Sequence, residues 1–236
     1  MLTYLISSPQ EKDRLHNINT LQSQLNNIIH IKAIYPSQIH VPFLNQILDL
    51  AKQRTNRTLS SAELGLLLSH RNAWRSLINS DQENALILES DSMIKNDVIL
   101  NHHFENIHKQ FDLFFWGAFD GRMKIFVKRR FNLDNTYVVG YPVINSVYCT
   151  YGYSLNKKTA IFLLKQTAKV NYPVDFWKIR LKNTNLTIGG VNPEVISPNP
   201  QFNSTVQSKK YNVYDKKIIK KVIDCKNTIL AYLDGK

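Results

Sequence analysis

The chain has 236 residues, 43% hydrophobic and 11% aromatic, with only 8 Gly and 8 Pro; this fits one large domain, or one domain with a small appendage, and excludes disordered, collagenous and low-complexity classes. Thirty basic against 18 acidic residues give a net charge of +12, which favours anionic partners (nucleic acid, acidic phospholipid, nucleotides, phosphorylated glycolipid) without choosing among them. No apolar run reaches the ~18 residues that span a bilayer, the first residues lack the pattern of a signal peptide, and Cys149 and Cys225 form no metal or redox motif, so a reducing, cytoplasmic setting is expected.

Residues 2 to 6 read as a first strand. Pro9 to Leu25 has helical spacing, with Ser8 as N-cap, Pro9 as first helical residue and Glu11 in the first turn. Ile28 to Tyr35 reads as a second strand, giving the β-α-β start of an α/β sheet. Val41 to Ala51 carries an apolar face (Phe43, Leu44, Ile47, Leu48, Ala51), followed by a basic loop over 52–57. A helix opens at Ser60, with Glu63 three residues on as a capping box, and runs to about Asn79. Ala85-Leu86-Ile87-Leu88 then reads as a buried strand ending in Glu89-Ser90-Asp91. If the chain is still extended there, Glu89 and Asp91 share one side of it. Two acids at the carboxyl end of a buried strand suit a hard divalent cation carrying phosphates; an ordinary acidic turn is the alternative.

Further on, Ser92 to Phe104 reads as a loop and helix, Phe111 to Gly117 as an apolar strand, and Met123 to Phe131 as a basic hairpin or loop. Tyr137 to Tyr151 is strand-like but broken by Pro142. Asn156 to Lys169 reads as a helix with Ala160, Ile161, Leu163, Leu164 and Ala168 inward. Asn183 to Gln207, rich in Asn, Pro and Ser, reads as a long loop, and the chain divides into 1–207 and a basic tail over 208–236.

Several of these pieces, taken in order, resemble glycosyltransferase family 25, which includes bacterial lipooligosaccharide glycosyltransferases and is related to collagen galactosyltransferases. Leu59 to Trp74 is similar to that family's x-x-E-x-G-x-x-x-S-H-x-x-x-W helix, and Ala85 to Asp91 to its A-L-I-L-E-D-D strand. Phe111 to Gly117, Tyr151 to Ala160, Pro173-Val174-Asp175 and Tyr4 to Ser7 match further elements, so the resemblance covers roughly residues 2 to 180. It departs at Ser90, where the pattern has a second acid, which puts nucleotide affinity or donor choice on a neutral group.

The resemblance implies a GT-A type α/β fold with a mixed central sheet. It also implies inverting transfer of a hexose, galactose or glucose, from a UDP-sugar to a saccharide such as the lipooligosaccharide or lipopolysaccharide outer core. Mn²⁺ or Mg²⁺ would stabilise the leaving diphosphate, and a carboxylate would serve as general base. Asp91 is the expected metal ligand, with Glu89 a second ligand or a ribose contact. Asp175 is the leading base, with a place in the metal shell or a helix N-terminal acid as alternatives, and Asp120 is its rival. Ser7 and Ser90 are expected at the nucleotide. Glu63, Ser69 and His70 are expected to line the cleft, with capping and core packing as the alternative. His102 and His103 are adjacent and make poor co-ligands. Arg71 and Arg75 meet diphosphate or an acidic acceptor, with a solvated helix face as the alternative. A non-catalytic scaffold and a nucleic-acid-binding protein are the competing functions, and no recognised nucleic-acid motif supports the latter.

The tail from Val213 to Leu233 has helical spacing. Ile218, Ile219, Val222, Ile223, Leu230 and Leu233 form an apolar stripe, and Lys216, Lys217, Lys220 and Lys221 project from the other side. Two settings fit: packing of the stripe on the catalytic domain, or peripheral contact of the helix with the anionic inner face of the inner membrane.

Overall fold

Ala85, Leu86, Ile87 and Leu88 are all fully buried, as a continuous apolar run demands of a strand covered on both faces. They form β3 (Asn84–Glu89), which pairs in parallel with β1 (Leu2–Ser7) and antiparallel with β8 (Gly152–Asn156). The computed structural model describes residues 1–118, 121–202 and 213–233, with side chains in the last stretch from Lys221 onward. The remaining strands are β2 (Ile28–Lys32), β4 (Ser92–Ile94), β5 (Leu113–Phe115), β6 (Ile125–Asn132), β7 (Val138–Pro142), β9 (Ile188–Asn192) and β10 (Ile196–Pro198). The helices are α1 (Leu15–Gln24), α2 (Val41–Thr55), α3 (Ser61–Ile78), α4 (Asp97–His108), α5 (Lys157–Gln166), α6 (Trp177–Arg180) and α7 (Val213–Leu233). Eight strands make one mixed sheet in the order β2-β1-β3-β8-β5-β9-β7-β6, and β10 pairs with β4 in a separate ribbon.

The period-2 alternation of β3 divides the core into two layers. Ala85 and Ile87 join Leu67, Trp74 and Leu77 of α3 and Leu163 of α5 on one face. Leu86 and Leu88 join Ile18 and Leu21 of α1 and Leu100, Phe104 and Ile107 of α4 on the other. The mixed α/β architecture is therefore the expected one, with helices on both faces of the sheet.

Three local expectations are corrected. The helix expected from Pro9 begins at Leu15; a turn and a 3-10 segment (Lys12–Arg14) precede it, so Glu11 and Arg14 belong to the β1–α1 connection. The loop expected from Asn183 to Gln207 contains β9, an interior strand between β5 and β7. A Cβ at Gly189 would lie 2.6 Å from the Phe111 ring, and one at Gly190 2.6 Å from Met123 Cε. Close approach, not strand propensity, selects those residues. Ile161 and Ala168 of the α5 region face solvent, because the helix buries only the stripe through Thr159, Ala160 and Leu163 and stops at Gln166.

Helix α7 packs beside β6. Lys124 pairs with Asp224 at 2.9 Å, and Asn227 Nδ2 donates to the Asn145 carbonyl at 3.3 Å. Asn227 and Ala231 are buried, whereas Val222, Ile229, Tyr232 and Leu233 are each more than half exposed. The expected stripe does not pack inward as a unit: among the described side chains of α7, Asn227 and Ala231 are buried, Ile223 and Leu230 are half-buried, and Val222 and Leu233 face out. Lys221 is exposed. The side chains of Lys216, Lys217, Ile218, Ile219 and Lys220, and the expected boundary at 207/208, lie outside the described residues.

Candidate active site

A cavity of about 730 Å³ opens beyond the carboxyl ends of β1, β2 and β3, where open α/β sheets offer a crevice for ligands. Its walls come from Ile6, the β2 exit (Ala33 to Pro36), the α3 residues Glu63, Leu66 and Ser69, and the β3 exit (Glu89 to Asp91). Glu11, Arg14, Thr150, Asp175 and Phe202 also line it.

Alternation along β3 decides what its last residues meet. Glu89 continues the Ala85–Ile87 face toward α3, where Thr150 Oγ1 donates to its Oε1 at 2.5 Å and His70 Nε2 lies 3.5 Å from the same oxygen. Ser90 continues the Leu86–Leu88 face toward α1. Its hydroxyl donates to Glu11 Oε2 and accepts from Arg14 Nη1, both at 2.8 Å. The strand then ends, and a turn at Ser90–Asp91 brings the Asp91 carboxylate to 3.2 Å from Arg14 Nη2. Glu89 and Asp91 thus line one cavity but answer to different layers, because the chain is not extended through Asp91. Arg14 also pairs with Glu11 at 3.2 Å and lies 5.5 Å from the centre of the Phe202 ring.

The charges follow these neighbours. Burial, reinforced by the Glu89 charge and opposed by Arg14, pushes the Asp91 carboxyl up to about 6. Burial also works against ionised Glu89, but His70, Thr150 and Arg14 together outweigh it and hold Glu89 below the usual carboxylate range. Burial pushes Asp175 up, with the charges of Glu89 and Glu63 adding to it. Tyr35, at the β2 exit, is pushed to about 12 by burial and by Glu11.

The helix motif is a scaffold for this cavity. Ser60 accepts from the Glu63 N–H at 3.1 Å, and Glu63 closes the capping box on the Ser60 N–H at 2.8 Å while pairing with Arg57. A Cβ at Gly65 would stand 2.4 Å from the Ile34 carbonyl oxygen, so only glycine lets α3 lie against the β2 exit. Ser69 ties the same two segments, donating to the Gly65 carbonyl and accepting from the Ile34 N–H, both at 2.8 Å. Glu63 and Ser69 line the cavity as expected; His70 is fully buried behind Glu89 and does not.

The other candidates divide. Asp175 lines the cavity on a loop that buried Arg180 holds, donating to the carbonyls of Tyr172, Pro173 and Val174 at 2.6 to 3.1 Å. Ser7 stands off the cavity, its hydroxyl 2.8 Å from His30 Nδ1. Arg71 donates to the Leu164 carbonyl of α5 and to Thr167 just beyond it, and Arg75 to Asn72, so neither reaches the cavity. Asp120 lies outside the described residues. Glu11, Arg14 and Thr150 line the cavity without belonging to any of the motifs above. A charged i,i+3 pair in the first βα connection, beside the crevice of an α/β sheet, is the signal that points to the first two.

Among the described residues no group of three or more His, Cys, Asp or Glu side chains is gathered as in a metal cage. Glu89 and Asp91 are nonetheless a hard oxygen pair on one cavity. That donor set fits a cation which completes its shell with substrate phosphate and water.

Among solved structures, the chain is similar to TarS from S. aureus in complex with UDP-GlcNAc at 14% identity, over 94% of this chain and 65% of that one, with a TM-score of 0.45. It is similar to the inositol-1-phosphate CTP transferase from T. maritima at 10% identity, over 86% and 92% of the chains, with a TM-score of 0.45. No curated protein matches it. The model of glycosyltransferase family 25 (LPS biosynthesis protein) matches residues 1–177, and the chain belongs to that family.

Proposed function

We propose that the protein transfers a hexose, galactose or glucose, from a UDP-sugar to a saccharide acceptor of the lipooligosaccharide or lipopolysaccharide outer core, with inversion at the anomeric carbon, on a sheet of the GT-A type. The observation that carries this reading is one cavity lined by Glu89 and Asp91 on one strand end and by Asp175 on a separate, braced loop. In a single displacement the acceptor oxygen bonds to the anomeric carbon as the bond to the UDP oxygen breaks, and Asp175 takes the hydroxyl proton. Its burial beside Glu89 and Glu63 makes it a stronger base than an exposed aspartate. Asp91 and Glu89 would hold a divalent cation, Mn²⁺ or Mg²⁺, which when bound neutralises the diphosphate. Arg14 keeps Asp91 in place through a direct ion pair.

The acceptor is lipid-linked in this reading, and α7 supports contact with an anionic leaflet: Lys221 and Lys226 are exposed along with Val222, Ile229, Tyr232 and Leu233. No helix among the described residues is long and apolar enough to cross a membrane. The test is thermal unfolding against a panel of nucleotide sugars with Mn²⁺, followed by assay of transfer and of donor hydrolysis. UDP-galactose or UDP-glucose should raise the melting temperature, since a ligand selective for the native state stabilises it. No shift and no hydrolysis with any UDP-sugar would favour a non-catalytic scaffold.

A further inference from the structure

His70 is wholly buried, yet its Nε2 makes no hydrogen bond. Its Nδ1 lies 2.9 Å from the Tyr153 hydroxyl, and the same hydroxyl lies 2.8 Å from Trp74 Nε1. Indole nitrogen only donates, so the Tyr153 oxygen accepts from Trp74 and its single proton goes to His70 Nδ1. A neutral ring that accepts at Nδ1 carries its proton on Nε2. That nitrogen faces Glu89 Oε1 at 3.5 Å. The opposite tautomer would aim a lone pair at a carboxylate and strand the Tyr153 proton in the core.

We propose that His70, held as the Nε2–H tautomer by Tyr153 and Trp74, is a positioning residue that fixes the Glu89 carboxylate toward the cavity. Thr150 and His70 converge on the same oxygen, Oε1, which turns Oε2 to the ligand. At 3.5 Å the contact is longer than a hydrogen bond; contacts of this kind often tighten in the substrate complex. The four residues sit on three elements: His70 and Trp74 on α3, Tyr153 on β8 and Glu89 on β3. The relay therefore locks the helix motif to the strand end that holds the acids. The tautomer stands by itself; its use in binding rests on the nucleotide-sugar reading above.

The test combines nitrogen NMR of ¹⁵N-histidine-labelled protein with calorimetric titration of UDP in the presence of Mn²⁺. His70 should accept at Nδ1 and carry a proton at Nε2, and Glu89→Gln should shift the Nε2 nitrogen. A ring with a proton on Nδ1, or an Nε2 signal blind to Glu89→Gln, overturns the proposal. His70→Gln keeps a donor near Nε2 and His70→Phe does not, so the UDP Kd should rise about 10- to 100-fold in His70→Phe, the scale for lost outer-shell partners, with kcat/KM falling more than the melting temperature explains. His70→Gln should recover most of that loss. Equal Kd values in wild type and folded His70→Phe overturn the proposal. Should His70→Phe not fold, Tyr153→Phe replaces it, and a ring whose tautomer and UDP affinity ignore that change overturns it too. Wild-type protein that fails to bind UDP refutes the donor reading alone, and the nitrogen spectra then decide the role of His70.

Discussion

Replacing Ser90 by Asp supplies the acid that the family pattern carries at this position, and the structure predicts that the change is unfavourable. The Ser90 hydroxyl is nearly inaccessible and sits 2.8 Å from both Glu11 Oε2 and Arg14 Nη1. A carboxylate there would stand about 4 Å from the charges of Glu11 and Arg14, and at an effective dielectric of 20 each interaction is worth about 4 kcal/mol. The two terms have opposite sign and nearly cancel. What remains is the lost hydroxyl donation to a carboxylate, about 1.5–3 kcal/mol. Ser90→Asp should thus lower stability by about 2 kcal/mol, or the melting temperature by about 4–8 °C for a chain of this size. Glu11→Gln should also destabilise, because Arg14 loses a partner. Combined, the two should recover most of the loss: the carboxylate at position 90 then takes the place of Glu11 beside Arg14, which it shares with Asp91 as Glu11 did. A coupling free energy of about 2 kcal/mol in the double-mutant cycle is expected. A Ser90→Asp protein that melts with wild type, or a double variant whose losses simply add, would refute the assignment of Glu11 as the acid serving this corner.

Asp175→Asn should lower kcat by ~10²–10⁴-fold with UDP affinity little changed; near-normal turnover would move the base elsewhere. Excess chelator and Asp91→Asn should each stop transfer, and full turnover in chelator would rule out the cation. Gly65→Ala should destabilise by about 1–3 kcal/mol despite alanine's helix preference, because the new methyl meets a backbone oxygen that cannot swing away; an unchanged melting temperature would show that α3 and β2 are loosely joined. Burial lowers His108 from its usual value to about 4, against an opposing hydrogen bond to the Phe111 carbonyl. The unfolded chain therefore binds the extra proton first, and stability present above pH ~6.5 should fall as pH drops toward 4, by at most ~3 kcal/mol. Denaturant titrations of wild type and His108→Gln at pH 7.5 and 4.5 check this: the variant should show the shallower dependence.

The parts of the site legible in the sequence are those where local pattern and tertiary demand coincide. The β3 run had to be buried on both faces, so its exit had to be a sheet edge, and the capping box at Ser60 had to start a helix. The missed parts depend on other segments. Nothing in Gly189-Gly190 asks for a strand; Phe111 and Met123 ask for an absent side chain, and that demand is invisible until both are placed. Glu11 read as a helix-start acid because Pro9 and Ser8 make a sound N-terminus. The chain instead spends a 3-10 turn there, and Arg14 is drawn to Ser90 and Asp91 across more than seventy residues. The α7 stripe was legible as a period but not in direction, since Asn227 and Ala231 occupy the contact side.

The helix motif also separates two kinds of importance that a pattern alone merges. Glu63, Gly65, Ser69, His70 and Trp74 form a single recognisable spacing, yet only Glu63 and Ser69 touch the cavity. Gly65 and Ser69 set the distance between α3 and the β2 exit, and His70 with Trp74 sets the end of β3 through Tyr153. Those two strand ends are the floor on which any ligand of this cavity rests. A shift of either would move Glu89 or Tyr35 relative to Asp175, whose loop is braced separately by Arg180. The spacing is thus dictated less by chemistry at the helix than by the need to hold one strand end against another. Substitutions at Gly65 and Trp74 should consequently affect donor binding and stability together, whereas Asp175→Asn should affect turnover alone.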